Sequence, residues 1–227
     1  MARPSLSIIV PVLNEAAVIV TALEALAALR ERGAEVIVVD GGSADRTAAL
    51  AEPFADSVIT SARGRAVQMN AGAAVARGDV LLFLHADTRL PPDPDRIILD
   101  GLARSGRAWG RFDVSIEGCH PLLRVVATSM NARSRLTGIA TGDQAMFMTR
   151  KAFTGVGGFP DIALMEDIEL SRRLKRISPP LRLRARVTTS SRRWENRGVL
   201  RTILLMWRLR LAYFFGASPD DLARRYG

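Results

Sequence analysis

Apolar and polar positions alternate in blocks along the first half of this chain. The runs "LSIIVPV" (6–12), "EVIVVD" (35–40), "SVIT" (57–60) and Val80–Leu84 are rich in Val, Ile and Leu and end in polar or glycine-containing turns, which predicts four strands. Between them, Val18, Ala22, Leu26 and Leu29 recur at helical spacing and share one face. Gly41, Gly42 and Ser43 make a turn, Asp45 is placed to cap a helix running to Ala55, and Arg63–Arg77 reads as a helix closed by Gly78. Strand–helix alternation implies a doubly wound, mainly parallel sheet. Ligands of such sheets bind beyond the carboxyl ends of the strands, where Asp40 and Asp87 fall.

The second half is less regular. "AWGRFDVSIEG" (108–118) predicts a strand, Pro121–Leu136 an amphipathic helix, and "QAMFMT" (144–149) a short strand before a basic turn. "GVGGFPDIA" (155–163) reads as loop and "LRLRARVTTS" as an exposed strand. "LMEDIELSRRLKRI" is a helix with its acids first and its bases last, which suits the helix dipole. Read as one helix, 196–216 places Arg197, Arg201 and Arg208 on one stripe and Leu200, Ile203, Leu204, Trp207, Leu211 and Phe214 on a broad apolar face, into which Arg210 points. Linkers, repeats and low-complexity tracts are absent from the sequence. The expectation is an α/β domain over 1–195, with a nucleotide-binding half (1–90) and a mixed second half (91–195), followed by an amphipathic helical tail (196–227).

Composition narrows the function classes. At 48% hydrophobic and 24% charged residues, the chain is an ordinary globular protein. Its net charge of +9 suits an anionic membrane or a phosphorylated ligand, and Lys151 and Lys175 are its only lysines. Basic and aromatic residues are not interleaved as in nucleic-acid modules, so no nucleic-acid partner is expected. The lone Cys119 fits a reducing compartment. "MARPSLSIIVPV" lacks the form of a secretory signal, and no apolar run approaches the roughly 18 residues of a membrane span. A cytoplasmic location is the resulting expectation.

Four segments then carry a resemblance: "IIVPVLNEAAVI", "VIVVDGGSADRT", "GRAVQMNAGAAVARGDVLLFLHADT" and "GGFPDIALMEDIELSRRLKR". They follow the order of motifs in family 2 glycosyltransferases, and the chain resembles that family from Ser7 to about Trp194. The resemblance implies a GT-A fold with a nucleotide-sugar-binding half and an acceptor half, a nucleotide-sugar donor, a divalent cation (Mn²⁺ or Mg²⁺) and usually inversion at the anomeric carbon. Such a cation stabilises the charge that develops on a nucleoside diphosphate leaving group, and it takes hard oxygen ligands.

The family's DxD motif here reads His85-Ala86-Asp87. The resemblance makes Asp87 the metal ligand and puts His85, which departs from the pattern, and Ala86 on the donor side. Asp40 resembles the aspartate that holds the nucleoside, although Gly41 stands where a second Asp is frequent. Pro11, Asn14, Glu15, Arg63, Arg65 and Asn70 fall where the family lines its donor site. Glu166-Asp167 matches the family's ED pair. Adjacent helical residues point about 100° apart, so one of them faces the anomeric carbon, Asp167 as base with Glu166 in support. "TSSRRWENRG" resembles the QxxRW motif, with Arg193 reaching the diphosphate and Trp194 stacking on the acceptor. Ser190 in place of Gln argues against polymerisation. Plain structural roles also fit: a turn or cap for Asp87, an N-cap pair for Asn14 and Glu15, solvated helix-start residues for Arg63 and Arg65, a surface ion pair for Arg193, core packing for Trp194, and dipole-complementing acids at 166–167.

A metal-dependent, inverting glycosyltransferase acting on a hydroxyl acceptor is the leading reading. A nucleotidyltransferase should carry a glycine- and lysine-rich loop near the N-terminus, which the sequence lacks. A non-catalytic nucleotide-sugar- or lipid-binding module would also suit the basic surface. The tail has two readings: packed on the domain, or lying on an anionic membrane and bringing the enzyme to a lipid-linked acceptor at the inner face of the cell membrane. A homodimer stays open.

Overall fold

Val-, Ile- and Leu-rich runs assemble into one sheet with β1 (Leu6–Val12), β2 (Glu35–Asp40), β3 (Ser57–Thr60), β4 (Val80–Phe83), β5 (Thr88–Arg89), β6 (Trp109–Ile116), β7 (Phe147–Thr149) and β8 (Leu181–Thr189). The structure is a computed structural model describing residues 5–226, with the side chains of residues 193, 196, 197 and 226 outside that description. The strand order is β3-β2-β1-β4-β7-β6-β8-β5. The first four strands in that order are parallel, β7 is antiparallel to β4 and β6, and β6 runs parallel to β8. Strands β1, β2 and β4 are buried on both faces, which is why they read as nearly unbroken apolar runs. Alternate residues feed two cores: Ile8, Val10 and Val38 join Leu23, Ile98 and Phe112 on one face, while Ile9, Ile37 and Val39 join Met69, Trp109 and Phe159 on the other.

The structure departs from the sequence pattern in several places. The segment after β1 forms two short helices, Ile19–Glu24 and Ala27–Glu31, instead of one. Their buried face is Ile19, Leu23, Leu26 and Leu29, with Val18 and Ala22 only half-buried. The helix expected to reach Ala55 stops at Ala51 and tightens into a 3₁₀ turn, Glu52–Phe54, around Pro53. Asp45 still serves its first turn, accepting from the Thr47 N–H at 3.0 Å. The helix predicted over Arg63–Arg77 spans Arg65–Val75, leaving Arg63 in the preceding loop. Gly72 lets this helix sit directly on the sheet, since a Cβ there would lie 2.5 Å from Ile9 Cγ2. Gln144 belongs to a 3₁₀ turn, Gly142–Gln144, ahead of the shortened β7, and the basic turn after β7 is a helix, Arg150–Gly155.

An anchor on β6 orders the second half. The helix Pro121–Thr137 is fixed to β6 by Asn131, whose amide accepts from Val114 N–H and donates to Val114 O, both at 2.9 Å. The tail is not one helix, because Gly198, at φ 81°, separates Arg192–Arg197 from Val199–Phe214. The expected Arg197–Arg201–Arg208 stripe is therefore split, and the Arg197 side chain lies outside the described residues. A last helix, Pro219–Tyr226, follows. Leu209 and Leu222 bury against Met165 and Ile168, and Val199 joins the main core, so one side of the tail packs on the domain. Among the described residues, no helix is long and apolar enough to cross a membrane.

Candidate functional site

The strand order reverses at β1 and β4, the place where open α/β sheets form their ligand crevice. The end of β1 and the loops leaving these strands bring Pro11, Glu15, His85, Ala86 and Asp87 to a cavity of about 1130 Å³. Arg63, Arg65 and Gln68 also line it, together with Val126, Met130, Arg133, Trp194, Trp207 and Arg210 from the second half and the tail. A recess of about 20 Å³ opens beside it, sharing Arg65 and His85 and lined by Glu166 and Asp167. The Asp87-bearing loop and the ED pair, some eighty residues apart in sequence, thus flank adjoining spaces.

Asp87 keeps a half-exposed carboxylate, with the Arg192 guanidinium 3.9 Å away. Arg192 also donates to Glu15 at 3.0 Å and so ties the β1 loop to the end of β8. His85 stands 3.6 Å from Asp143. Its ring packs on Gly142, where a Cβ would come within 2.7 Å of the imidazole. Among the described residues no cluster of three or more His, Cys, Asp or Glu side chains is placed to hold a metal ion. Asp87 nevertheless fits a Mg²⁺- or Mn²⁺-type site, which commonly takes one or two carboxylates and completes its shell with phosphates and water.

The other expected donor residues are placed differently. Asp40 is buried and accepts from the Gly42 and Ser43 N–H groups at 3.2 and 2.9 Å and from the Ser43 hydroxyl. Asn14 takes the left-handed conformation (φ 54°), which Asn tolerates well. It clasps the β2 loop instead of capping a helix, accepting from Ala44 N–H at 2.8 Å while its own N–H donates to Ser43 Oγ. Asn70 spends its amide on Phe159, donating to its carbonyl at 2.8 Å and accepting from its N–H at 2.9 Å. Asp40, Asn14 and Asn70 do not line the cavity. Gly41 accommodates Gln68: a Cβ there would lie 2.9 Å from Gln68 Cδ, and Gln68 donates to the Val12 and Val39 carbonyls. Trp194 lines the cavity and packs on the core at once. The Arg193 side chain lies outside the described residues.

The ED pair opens the helix Glu166–Lys175. Asp167 accepts from Gly142 N–H at 2.9 Å through Oδ2 and from Ile168 N–H at 2.7 Å through Oδ1. Glu166 is buried, and desolvation, reinforced by the neighbouring Asp167 charge, pushes its pKa up to about 7.

Nothing in the sequence singles out Arg192, Asp143, Arg133 or Gln68 as site residues. Arg192 adjoins the Arg193 of the motif, and nothing local distinguishes the two. The others converge only through packing.

A parallel half-sheet, a carboxylate in the turn after its fourth strand and an acidic helix start lining an adjoining recess belong to a GT-A transferase fold. The chain matches Glycosyl transferase family 2 over residues 7–155, more than half its length, and it belongs to that family. A PGL/p-HBAD biosynthesis glycosyltransferase of Mycobacterium tuberculosis is 39% identical over 97 residues, covering 40% of this chain and 38% of that relative; the chain thus spans well under half of its length. Among solved structures, S. aureus TarS 1–349 in complex with UDP-GlcNAc aligns over 82% of this chain and 58% of its own (TM-score 0.67, 18% identity). The mannosyltransferase PcManGT from Pyrobaculum calidifontis, in complex with GDP-Man and Mn²⁺, aligns over 99% and 69% (TM-score 0.64, 21% identity). At these identities the likeness is one of fold.

Proposed function

We propose that this protein transfers a sugar from a nucleotide-sugar donor to a hydroxyl acceptor with inversion, assisted by Mn²⁺ or Mg²⁺. The observation that carries this reading is the placement of Asp87 and the Glu166–Asp167 pair on adjoining spaces that share Arg65 and His85. Relatives and neighbours support it: one relative is named a glycosyltransferase, and the two structures bind UDP-GlcNAc and GDP-Man, the latter with Mn²⁺. In this reading 1–90 holds the donor, 91–195 faces the acceptor, and 196–227 closes the acceptor side.

Asp87 would hold the cation, which when bound neutralises charge on the departing diphosphate. Glu15 and Arg192 orient the loops around that position. Asp167 takes the acceptor's proton, its carboxylate aimed by the Gly142 and Ile168 N–H groups. Glu166, buried beside it with its pKa pushed up to about 7, gains its proton as pH falls through that value and then adds less like charge to the base.

A lipid-linked acceptor at a membrane surface is part of this proposal. Leu204, Trp207, Leu211 and Phe214 are 60–73% exposed and also line the cavity, joining it to an apolar outer face. Exposed Arg201 and Arg208 flank that face. Calorimetry with UDP or GDP and Mn²⁺, paired with diphosphate release from a panel of nucleotide sugars, tests the assignment. Asp87→Ala should lose metal-dependent nucleotide binding. Asp167→Asn should keep that binding and lose turnover by about 10² to 10⁴. Unchanged metal dependence in the first variant, or normal turnover in the second, would refute the respective role.

A further inference from the structure

Arg133, on the helix Pro121–Thr137, and Arg210, on the helix Val199–Phe214, both line the cavity. Burial is the main cause depressing both pKa values. Arg133 comes down to about 10, and the Arg210 charge adds to that effect. Arg133 Nε and Nη2 and Arg210 Nε are buried, with no hydrogen-bond partner among the described residues. Neighbouring cations with unpaired, dehydrated N–H groups are costly in a folded protein. Asp167, which also accepts from two backbone N–H groups, and Asp143, which also lies 3.6 Å from His85, offset part of that charge. Unsatisfied guanidinium donors match the oxygens of a phosphate or carboxylate.

Which anion they meet follows from their position. The donor-side groups, Glu15, Arg63 and Asp87, belong to the loops of the parallel half-sheet. The carboxylates acting on Arg133 and Arg210 are Asp167 and Asp143, with Asp167 the proposed base for the acceptor hydroxyl. We propose that Arg133 and Arg210 form an oxyanion site that seats a phosphate or carboxylate carried by the acceptor, placing its hydroxyl beside Asp167. The assignment to the acceptor rests on the glycosyltransferase reading; the oxyanion site itself does not.

Thermal unfolding with inorganic phosphate as probe, at matched ionic strength, tests the site, because a ligand bound only by the folded state raises its melting temperature. Phosphate should stabilise wild type and Asp87→Ala alike, and should still do so when UDP or GDP with Mg²⁺ is saturating. Arg133→Gln and Arg210→Gln should weaken phosphate about tenfold or more while leaving nucleotide affinity unchanged. Arg133→Lys, which keeps the charge, should recover part of the loss and serves if the glutamine variant fails to fold. Three results would overturn the proposal: no stabilisation of wild type by phosphate, equal stabilisation of the arginine variants, or displacement of phosphate by nucleotide with nucleotide affinity falling in those variants. The last outcome would make the pair a clamp for the donor's diphosphate. Failure of the glycosyltransferase reading shows separately, as absence of metal-dependent nucleotide binding in wild type.

Discussion

Glu166 couples the site to pH through one buried proton. Its folded pKa of about 7 exceeds the ordinary 4.5, so between these values the folded state holds a proton that the unfolded state has released. Stability from this group is complete below about pH 4.5, declines as pH rises through that window, and is lost above 7. A shift of this size corresponds to a penalty of up to about 3 kcal/mol. Glu166→Gln removes it. Metal-free melting curves should show the variant gaining several degrees over wild type at pH 8 and little at pH 4.5. An equal difference at both pH values would mean that Glu166 does not titrate in this window.

At the scale of elements, the loops around the cleft are held by side chains that resemble ligand contacts in sequence and clasp neighbouring backbone in the structure. Asn70, on the helix Arg65–Val75, pins the Phe159 backbone and so the loop leading to the ED helix. Phe159 in turn packs edge-on against Phe83 of β4, centroids 4.9 Å apart. Asn70→Ala leaves a backbone N–H and a carbonyl unpaired, at a cost of about 1–3 kcal/mol. Urea unfolding should register that loss while nucleotide affinity stays near wild type. A large affinity loss without destabilisation would instead make Asn70 a donor contact.

For the whole molecule, the tail helix Val199–Phe214 has two unlike faces. Thr202 and Leu209 are buried against the domain, while Leu200, Leu204, Trp207, Leu211, Phe214 and Phe215 are 60–78% exposed. An apolar ridge flanked by exposed Arg201 and Arg208, on a chain of net charge +9, suits an anionic lipid surface. In flotation assays the folded protein should rise with phosphatidylglycerol-containing vesicles, detach as salt screens the arginines, and bind weakly as Trp207→Ser/Phe214→Ser or Arg201→Gln/Arg208→Gln. Wild type that stays unbound at low salt would exclude this mode and favour a soluble acceptor.

Local pattern by itself determined the parallel strands, the acidic start of the ED helix and the positions of Asp40 and Asp87 at strand ends, because burial on two faces and helix polarity leave marks within a few residues. It also marked Arg210 as a charge intruding on an apolar face. Only the tertiary structure decided what these groups meet. Asp40 turns onto its own loop, Asn70 onto Phe159, and Arg192 toward Glu15 and Asp87. Arg133 and Arg210 lie on helices that become neighbours through packing on β6 and the ED helix. Gly198 can serve as a helix residue or a left-handed break, and the long tail pattern hid the break that packing selected. Periodicity records which face of an element is buried; which side chains converge depends on sheet order and helix docking, set by contacts between residues far apart in the chain.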